Sequence, residues 1–273
     1  MPKNMNVVTA RLIAEEAVLV SVDATQGSVP REAGTWMAVF AGDVVGTIGG
    51  GHLEFQAIEQ ARRLLASGQG EPLRRYALGP SLGQCCGGSV RLRFERIGAA
   101  DIPALQTRLA DRLAPLALFG GGHVGKALAN VLATLPFAVT WIDSRDEIFP
   151  LHVPAHVVCE HSDPVQAAVP DLAPGSRVLI MSFSHAEDLD IVAACLRRQR
   201  ERGDLAYIGL IGSKTKWAAF RHRLEQRGFT AAELSRVTCP IGLPGITGKE
   251  PEVIAVSVAA QILQVAPPGP PRD

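Results

Sequence analysis

The sequence predicts an α/β protein: a C-terminal Rossmann-like doubly wound parallel sheet preceded by a smaller N-terminal α+β domain. Three observations lead there. From Pro115 onward, short fully apolar runs alternate with helical patterns, which is how strands buried on both faces of a parallel sheet read. The loop Gly120-Gly121-Gly122-His123-Val124-Gly125 follows one of these runs directly and opens a helical pattern. Before residue 99 the rhythm differs, with half-wet strands and an amphipathic helix sharing one short unit. At roughly 150 residues per domain, the 273 residues suffice for two cores. The expected organisation is an N-terminal domain over 1–98, a linker helix over 99–113, the Rossmann-like domain over 114–265 and a loose tail over 266–273.

The N-terminal elements follow from pattern. Ala17 to Ala24 and Thr35 to Ala41 are Val-rich apolar runs separated by turn residues at Gly27, Pro30 and Gly34, so they read as strands. From His52 to Ala66, Leu53, Ala57, Ile58, Ala61, Leu64 and Leu65 recur at helical spacing just after Gly49-Gly50-Gly51. Ser89 to Arg96 alternates: Val90, Leu92 and Phe94 fall on one side, Arg91, Arg93 and Glu95 on the other. A helical stretch from about 101 to 112 leads into the next unit.

The second part supplies strands at Leu116 to Phe119, Ala138 to Ile142, His156 to Cys159, Val178 to Met181 and Tyr207 to Ile211. Right-handed crossovers place helices on both faces of such a sheet. The last helix is expected over Pro251 to Val265, with Pro at the first turn.

The glycine loop carries the chemistry. Gly120 suits the tight turn, Gly122 lets backbone approach a phosphate, and Gly125 lets the helix pack closely on the strand. Free N–H groups at the helix start then face the anion. Asp143 ends the next strand 18 residues beyond Gly125, the position from which an acid reaches a ribose hydroxyl. His123 is placed either to donate to a bound anion or to cap the turn. Gly120, Gly125 and Lys126 also meet a phosphate-loop pattern, but Ala127 stands where that loop needs Ser or Thr for magnesium.

Ligands of an open parallel sheet sit beyond the carboxyl ends of its strands. His185, in the segment Ser182 to Asp188, and Ser213 and Lys214 fall there, as ligand contacts or as ordinary helix-start and solvated residues. Cys239 to Gly245 is a turn-rich loop. Gly83-Gln84-Cys85-Cys86-Gly87-Gly88 sets two adjacent thiols among glycines. Their spacing does not suit zinc. Exposed thiolates there would be soft metal ligands or take part in persulfide exchange, whereas a buried one would act as a small hydrophobe.

Composition narrows the function classes. Lys and Arg total 27 and Asp and Glu total 27, so the basic excess of a nucleic-acid binder is missing. The expectation is no membrane segment and no signal peptide, since no apolar run approaches the ~20 residues needed to span a bilayer. Five irregularly spaced cysteines point to a reducing cytoplasm.

Together Gly27-Ser28-Val29-Pro30-Arg31, Gly46-Thr47-Ile48-Gly49-Gly50-Gly51-His52-Leu53-Glu54, Gly83 to Gly88, the glycine loop to Asp143, Tyr207 to Ser213 and Pro240-Ile241-Gly242-Leu243 resemble the XdhC family. These are xanthine dehydrogenase accessory proteins related to the CoxI group. The resemblance runs through nearly the whole chain. It implies a chaperone that transiently binds the molybdenum cofactor (molybdopterin) and supports its sulfuration with a cysteine desulfurase. Delivery to apo xanthine dehydrogenase follows, commonly from a homodimer. On that basis Cys85 or Cys86 contacts molybdenum or carries sulfur, and Gly49, Gly50, Gly51, His52 and Glu54 help enclose the cofactor; helix-start chemistry is the plainer role for His52 and Glu54. The alternative is an NAD(P)-dependent oxidoreductase using the Rossmann-like domain. No Tyr-x-x-x-Lys pair is present, and His185 would have to supply the proton.

Overall fold

The computed structural model describes residues 2–29, 31–78, 88–109, 113–154 and 156–265. The chain forms two compact units, Met1–Asp111 and Arg112–Asp273.

The first unit contains α1 (Pro2–Leu12), β1 (Ala17–Gln26), β2 (Trp36–Val39), β3 (Val44–Gly46), α2 (Gly51–Ser67), β4 (Leu73–Ala77), β5 (Ser89–Ile97) and α3 (Ile102–Arg108). The strands form an antiparallel sheet in the order β3-β2-β1-β5-β4. Alternation decides what each face meets. Val18, Val20, Val22, Val90, Leu92 and Phe94 pack under Leu53, Ala57, Ala61 and Leu64 of α2. Each fully buried side chain of this size contributes about 1.5–3 kcal/mol. On the opposite face, Ala17, Leu19, Ala38 and Ile97 are buried with Val8, Leu12 and Leu105.

Leu105 shows that the helix expected to link the two units packs within the first, burying its apolar side against the sheet. Its regular part is also shorter than the 101–112 stretch, beginning in a single 3-10 turn at Ala99–Asp101. Helix α1 and strands β3 and β4 carry patterns too short or too polar to stand out in the sequence. Gly79 to Gly87, including Cys85 and Cys86, and the tail 266–273 lie outside the described residues.

The second unit contains β6 (Ala114–Phe119), α4 (His123–Leu132), β7 (Phe137–Asp143), β8 (Val157–His161), β9 (Arg177–Ile180), α5 (His185–Arg202), β10 (Tyr207–Leu210), α6 (Lys214–Gln226), α7 (Ala231–Leu234), β11 (Val237–Thr238) and α8 (Pro251–Leu263). Its six strands are parallel, in the order β11-β10-β9-β6-β7-β8. Counted from β6 this is 3-2-1-4-5-6, the order of the dinucleotide-binding fold. Strand β6 shows why both faces are covered. Ala117 and Phe119 join the core beneath α5, α6 and α7, while Leu116 and Leu118 join the core beneath α4 and α8. The order in which strands are added reverses between β6 and β9, the switch point at whose carboxyl ends such a fold opens a crevice.

Candidate functional site

Gly120, Gly121 and Gly122 connect β6 to α4 at that crevice. Gly120 has φ 118°, and a Cβ there would run into the Met181 carbonyl on the neighbouring strand end. A Cβ on Gly125 would strike the Gly120 carbonyl, so α4 can sit this close only without one. Gly122 is different: a Cβ would enter open space. It precedes the first turn of α4, whose amides have no intrahelical acceptor. The loop therefore leaves the first-turn donors of α4 next to an exposed Gly122, the kind of donor set an anion cradle uses.

Two side chains hold this loop: Trp141, which the sequence reading missed, and Asp143, which it placed at a ribose hydroxyl. Trp141 Nε1 donates to the Gly120 carbonyl at 2.9 Å from its buried place on β7. Asp143 Oδ2 accepts from Gly121 N at 2.6 Å and from Arg145 Nη2 at 3.0 Å. Its Oδ1 accepts from Arg145 N and Nε, both at 2.9 Å. Burial pushes the Asp143 carboxyl up, but these donors outweigh it and hold the group below its ordinary range. A ribose hydroxyl would have to compete with Arg145 for it. Arg145 in turn stacks 4.4 Å from the centroid of exposed Phe183, and Ser144 Oγ donates to Glu187 Oε1 at 2.8 Å.

His123 is the exposed first residue of α4. His185 is the exposed first residue of α5, edge-on to Phe220 with ring centroids 6.2 Å apart. Ser213 caps α6 by accepting from Lys216 N at 3.1 Å. All three lie at the carboxyl edge of the sheet. Lys214 joins the wall of a hollow of about 510 Å³ made by Pro240 to Ile246 with Val253, Ile254 and Ser257. Gln261 Oε1 fixes that loop by accepting from Gly242 N at 2.8 Å and Tyr207 Oη at 2.9 Å. Ser257 Oγ accepts from Leu243 N at 2.8 Å.

Lys216, with only its position to mark it in the sequence, is the larger surprise. Its Nζ lies 2.6 Å from Asp188 Oδ2 and donates to the Ile211 carbonyl at 2.9 Å. Asp188 Oδ1 accepts from Ser182 N and Oγ, both at 2.8 Å. This buried pair ties the first turn of α6 to the first turn of α5 and, through Ser182, to the segment that follows β9.

In the first unit, Gly49, Gly50 and Gly51 all have positive φ as the chain turns into α2. Glu54 organises that turn: Oε2 accepts from Thr47 Oγ1 at 2.5 Å, Ile48 N at 2.9 Å and Gly50 N at 3.0 Å. His52 is exposed, with Nε2 3.1 Å from Gln56 Nε2 and its ring 6.4 Å from that of exposed Phe55. Leu78 N donates to the Gly88 carbonyl at 2.8 Å. Among the described residues no group of three or more His, Cys, Asp or Glu side chains is placed to hold a metal. Among them, too, no helix is long and apolar enough to cross a membrane.

Comparison with known proteins agrees with this architecture. Residues 116–262 match the XdhC Rossmann domain, and residues 13–77 match the XdhC and CoxI family. An uncharacterized Escherichia coli K12 protein, YqeB, is 28% identical over an alignment covering 96% of this chain and 46% of that protein. The chain thus spans about half the length of that curated relative. A crystal structure described as a xanthine dehydrogenase from Bacillus halodurans superposes with a TM-score of 0.76 at 20% identity, covering 96% of this chain and 95% of the other. At that identity the likeness concerns the fold.

Proposed function

Because the chain belongs to the XdhC family, we propose that it serves xanthine dehydrogenase maturation as a chaperone whose cargo is the molybdenum cofactor. The observation that carries this reading is the start of α4 at the sheet's switch point, where no side chain caps the first-turn amides and the N-cap Gly122 leaves open space beside them. The cofactor's phosphate suits such donors. In this reading Gly120 and Gly125 set the loop, and His123, His185, Ser213 and Lys214 line the same edge. In the first unit, Gly49, Gly50, Gly51 and His52 attend the cargo, with Glu54 setting their turn. Cys85 and Cys86 supply soft donors for molybdenum or carry sulfur from a cysteine desulfurase, while apo xanthine dehydrogenase receives the product. A homodimer in the cytoplasm is the expected form.

The second reading, an NAD(P)-dependent oxidoreductase, draws on the strand order. It is weakened at Asp143, whose oxygens already engage Gly121 and Arg145.

The deciding measurement is the small-molecule content of the full chain purified from cells supplied with molybdate. Released pterin and molybdenum are expected on denaturation, and the Cys85→Ser, Cys86→Ser double variant should retain less sulfurated cofactor. Absence of both pterin and molybdenum, with tight NADH binding and turnover of a small carbonyl, would replace this reading by the second.

A further inference from the structure

The sheet of the first unit has one face covered by α2, whereas α1 and α3 cover only one end of the other. Beyond that end, β1, β5 and β4 line a hollow of about 330 Å³ with Ala24, Thr25, Gln26, Ser89, Arg91 and Arg75. Next to Ser89 in the chain, Gly88 sits so close to the Gln26 and Ser28 carbonyls that no Cβ would fit.

The charges there do not balance. Arg91 Nε and Arg93 Nη2 share a single carboxylate, Asp23, at 2.6 Å and 2.5 Å. Hydrogen bonds from Arg93 and Arg91 hold Asp23 below its ordinary range, so it stays ionised. Arg75 meets neutral acceptors instead: Ser89 Oγ lies 3.2 Å from Nε and 3.0 Å from Nη2, and Gln26 Oε1 lies 3.3 Å from Nη2. Among the described residues no carboxylate pairs with Arg75. Glu95, on the same side of β5, is taken by Arg108 at 3.0 Å, so the four guanidinium groups of Arg75, Arg91, Arg93 and Arg108 against the two carboxylates of Asp23 and Glu95 leave an excess of two positive charges on this face. The Ser89 hydroxyl proton and the Gln26 amide N–H groups remain as donors beside it.

We propose that this hollow binds a dianionic tetrahedral oxyanion of the phosphate class. Arg75 is its principal ligand, Arg91 is the second cation, and Ser89 and Gln26 are neutral donors. A planar guanidinium with only neutral partners exchanges them for a phosphate at a gain, since charge-assisted bidentate bonds are the stronger ones. The anion is either the phosphate end of a larger molecule or a free inorganic ion. The site lies within the first unit and is independent of the cargo reading.

The test is site-resolved arginine modification of the full wild-type chain by phenylglyoxal, followed by peptide mass mapping. Inorganic phosphate and glycerol phosphate are the probes, and sodium chloride at equal ionic strength is the control. Near-saturating anion should slow modification of Arg75 about tenfold while Arg223, exposed on α6, is unaffected. Stronger protection by glycerol phosphate assigns the site to the end of a larger molecule, and protection by inorganic phosphate alone assigns it to a free ion. No protection at Arg75, or equal protection by chloride, overturns the proposal. Because cargo content is measured separately, phosphate protection in protein that releases no pterin would leave this site standing and remove the cargo reading.

Discussion

Gly121 and Asp143 are joined by a 2.6 Å hydrogen bond from the glycine-loop amide to the carboxylate that ends β7. The carboxylate is 2% exposed and also takes the Arg145 guanidinium, so one side chain braces the loop and neutralises its neighbour. The acid at the strand end is thus a structural acceptor first. Asp143→Asn is expected to lower unfolding free energy by about 1–3 kcal/mol at pH 7, read from urea denaturation. The pH dependence has a defined sign. The folded pKa lies below the ordinary 3.8, so the unfolded chain binds more protons in that window. The contribution is complete well above pH 3.8 and fades as pH falls through the lowered folded value, and the gap between wild type and Asp143→Asn should close there.

Gly120 and Gly122 should respond oppositely to one methyl group. Gly120→Ala meets both a positive φ and the Met181 carbonyl, and should destabilise by about 3 kcal/mol or more. Gly122→Ala adds its methyl to open space and should cost less than about 1 kcal/mol, seen as a nearly unchanged Tm. Under the proposed function the same Gly122→Ala protein retains less pterin, because the methyl occupies the cradle.

Lys216 and Asp188 are both largely withdrawn from solvent, with side chains 12% and 3% exposed. Lys216→Met leaves the carboxylate buried without its cation and should cost about 3–5 kcal/mol in chemical denaturation. Adding Asp188→Asn removes the stranded charge while keeping an acceptor for Ser182. The double variant should therefore be more stable than Lys216→Met alone, and a double-mutant cycle measures the coupling.

Burial pushes the Cys239 thiol up to about 11, with Lys216 pulling it down and Asp188 pushing it up. At pH 8 only about one part in a thousand is thiolate. Iodoacetamide labelling at Cys239 should be slow at pH 8 and rise about tenfold per pH unit toward pH 10. Fully buried Cys195, pushed to about 12, should stay unlabelled in the native protein. Rapid labelling of Cys239 at pH 8 would contradict this assignment.

Much of the architecture was legible because it is written in periodicity. The alternation of Val90, Leu92 and Phe94 against Arg91 and Arg93 became β5 with its apolar face under α2. The apolar runs after Pro115 became parallel strands within a residue or two of their expected ends. Helix α1, strands β3 and β4 and the two-residue β11 escaped notice. They are short, and their burial comes from neighbours distant in the chain. At the site, the glycines announced themselves by spacing, whereas Arg145, Trp141 and Lys216 did not. Nothing local marks an arginine as the partner of a buried acid, or a tryptophan N–H as the brace of a loop carbonyl.

The sequence by itself determined the two-part α/β organisation, the glycine loop between β6 and α4, and the family resemblance. Each depends on residue type at short spacing, where backbone freedom and apolar periodicity act locally. Only the tertiary structure decided that Asp143 is spent on Gly121 and Arg145, that Lys216 is buried against Asp188, and that Arg75 faces neutral partners. Those outcomes depend on which charges meet across strands and loops far apart in the chain, and electrostatic partnership is set by distance and burial in the folded state.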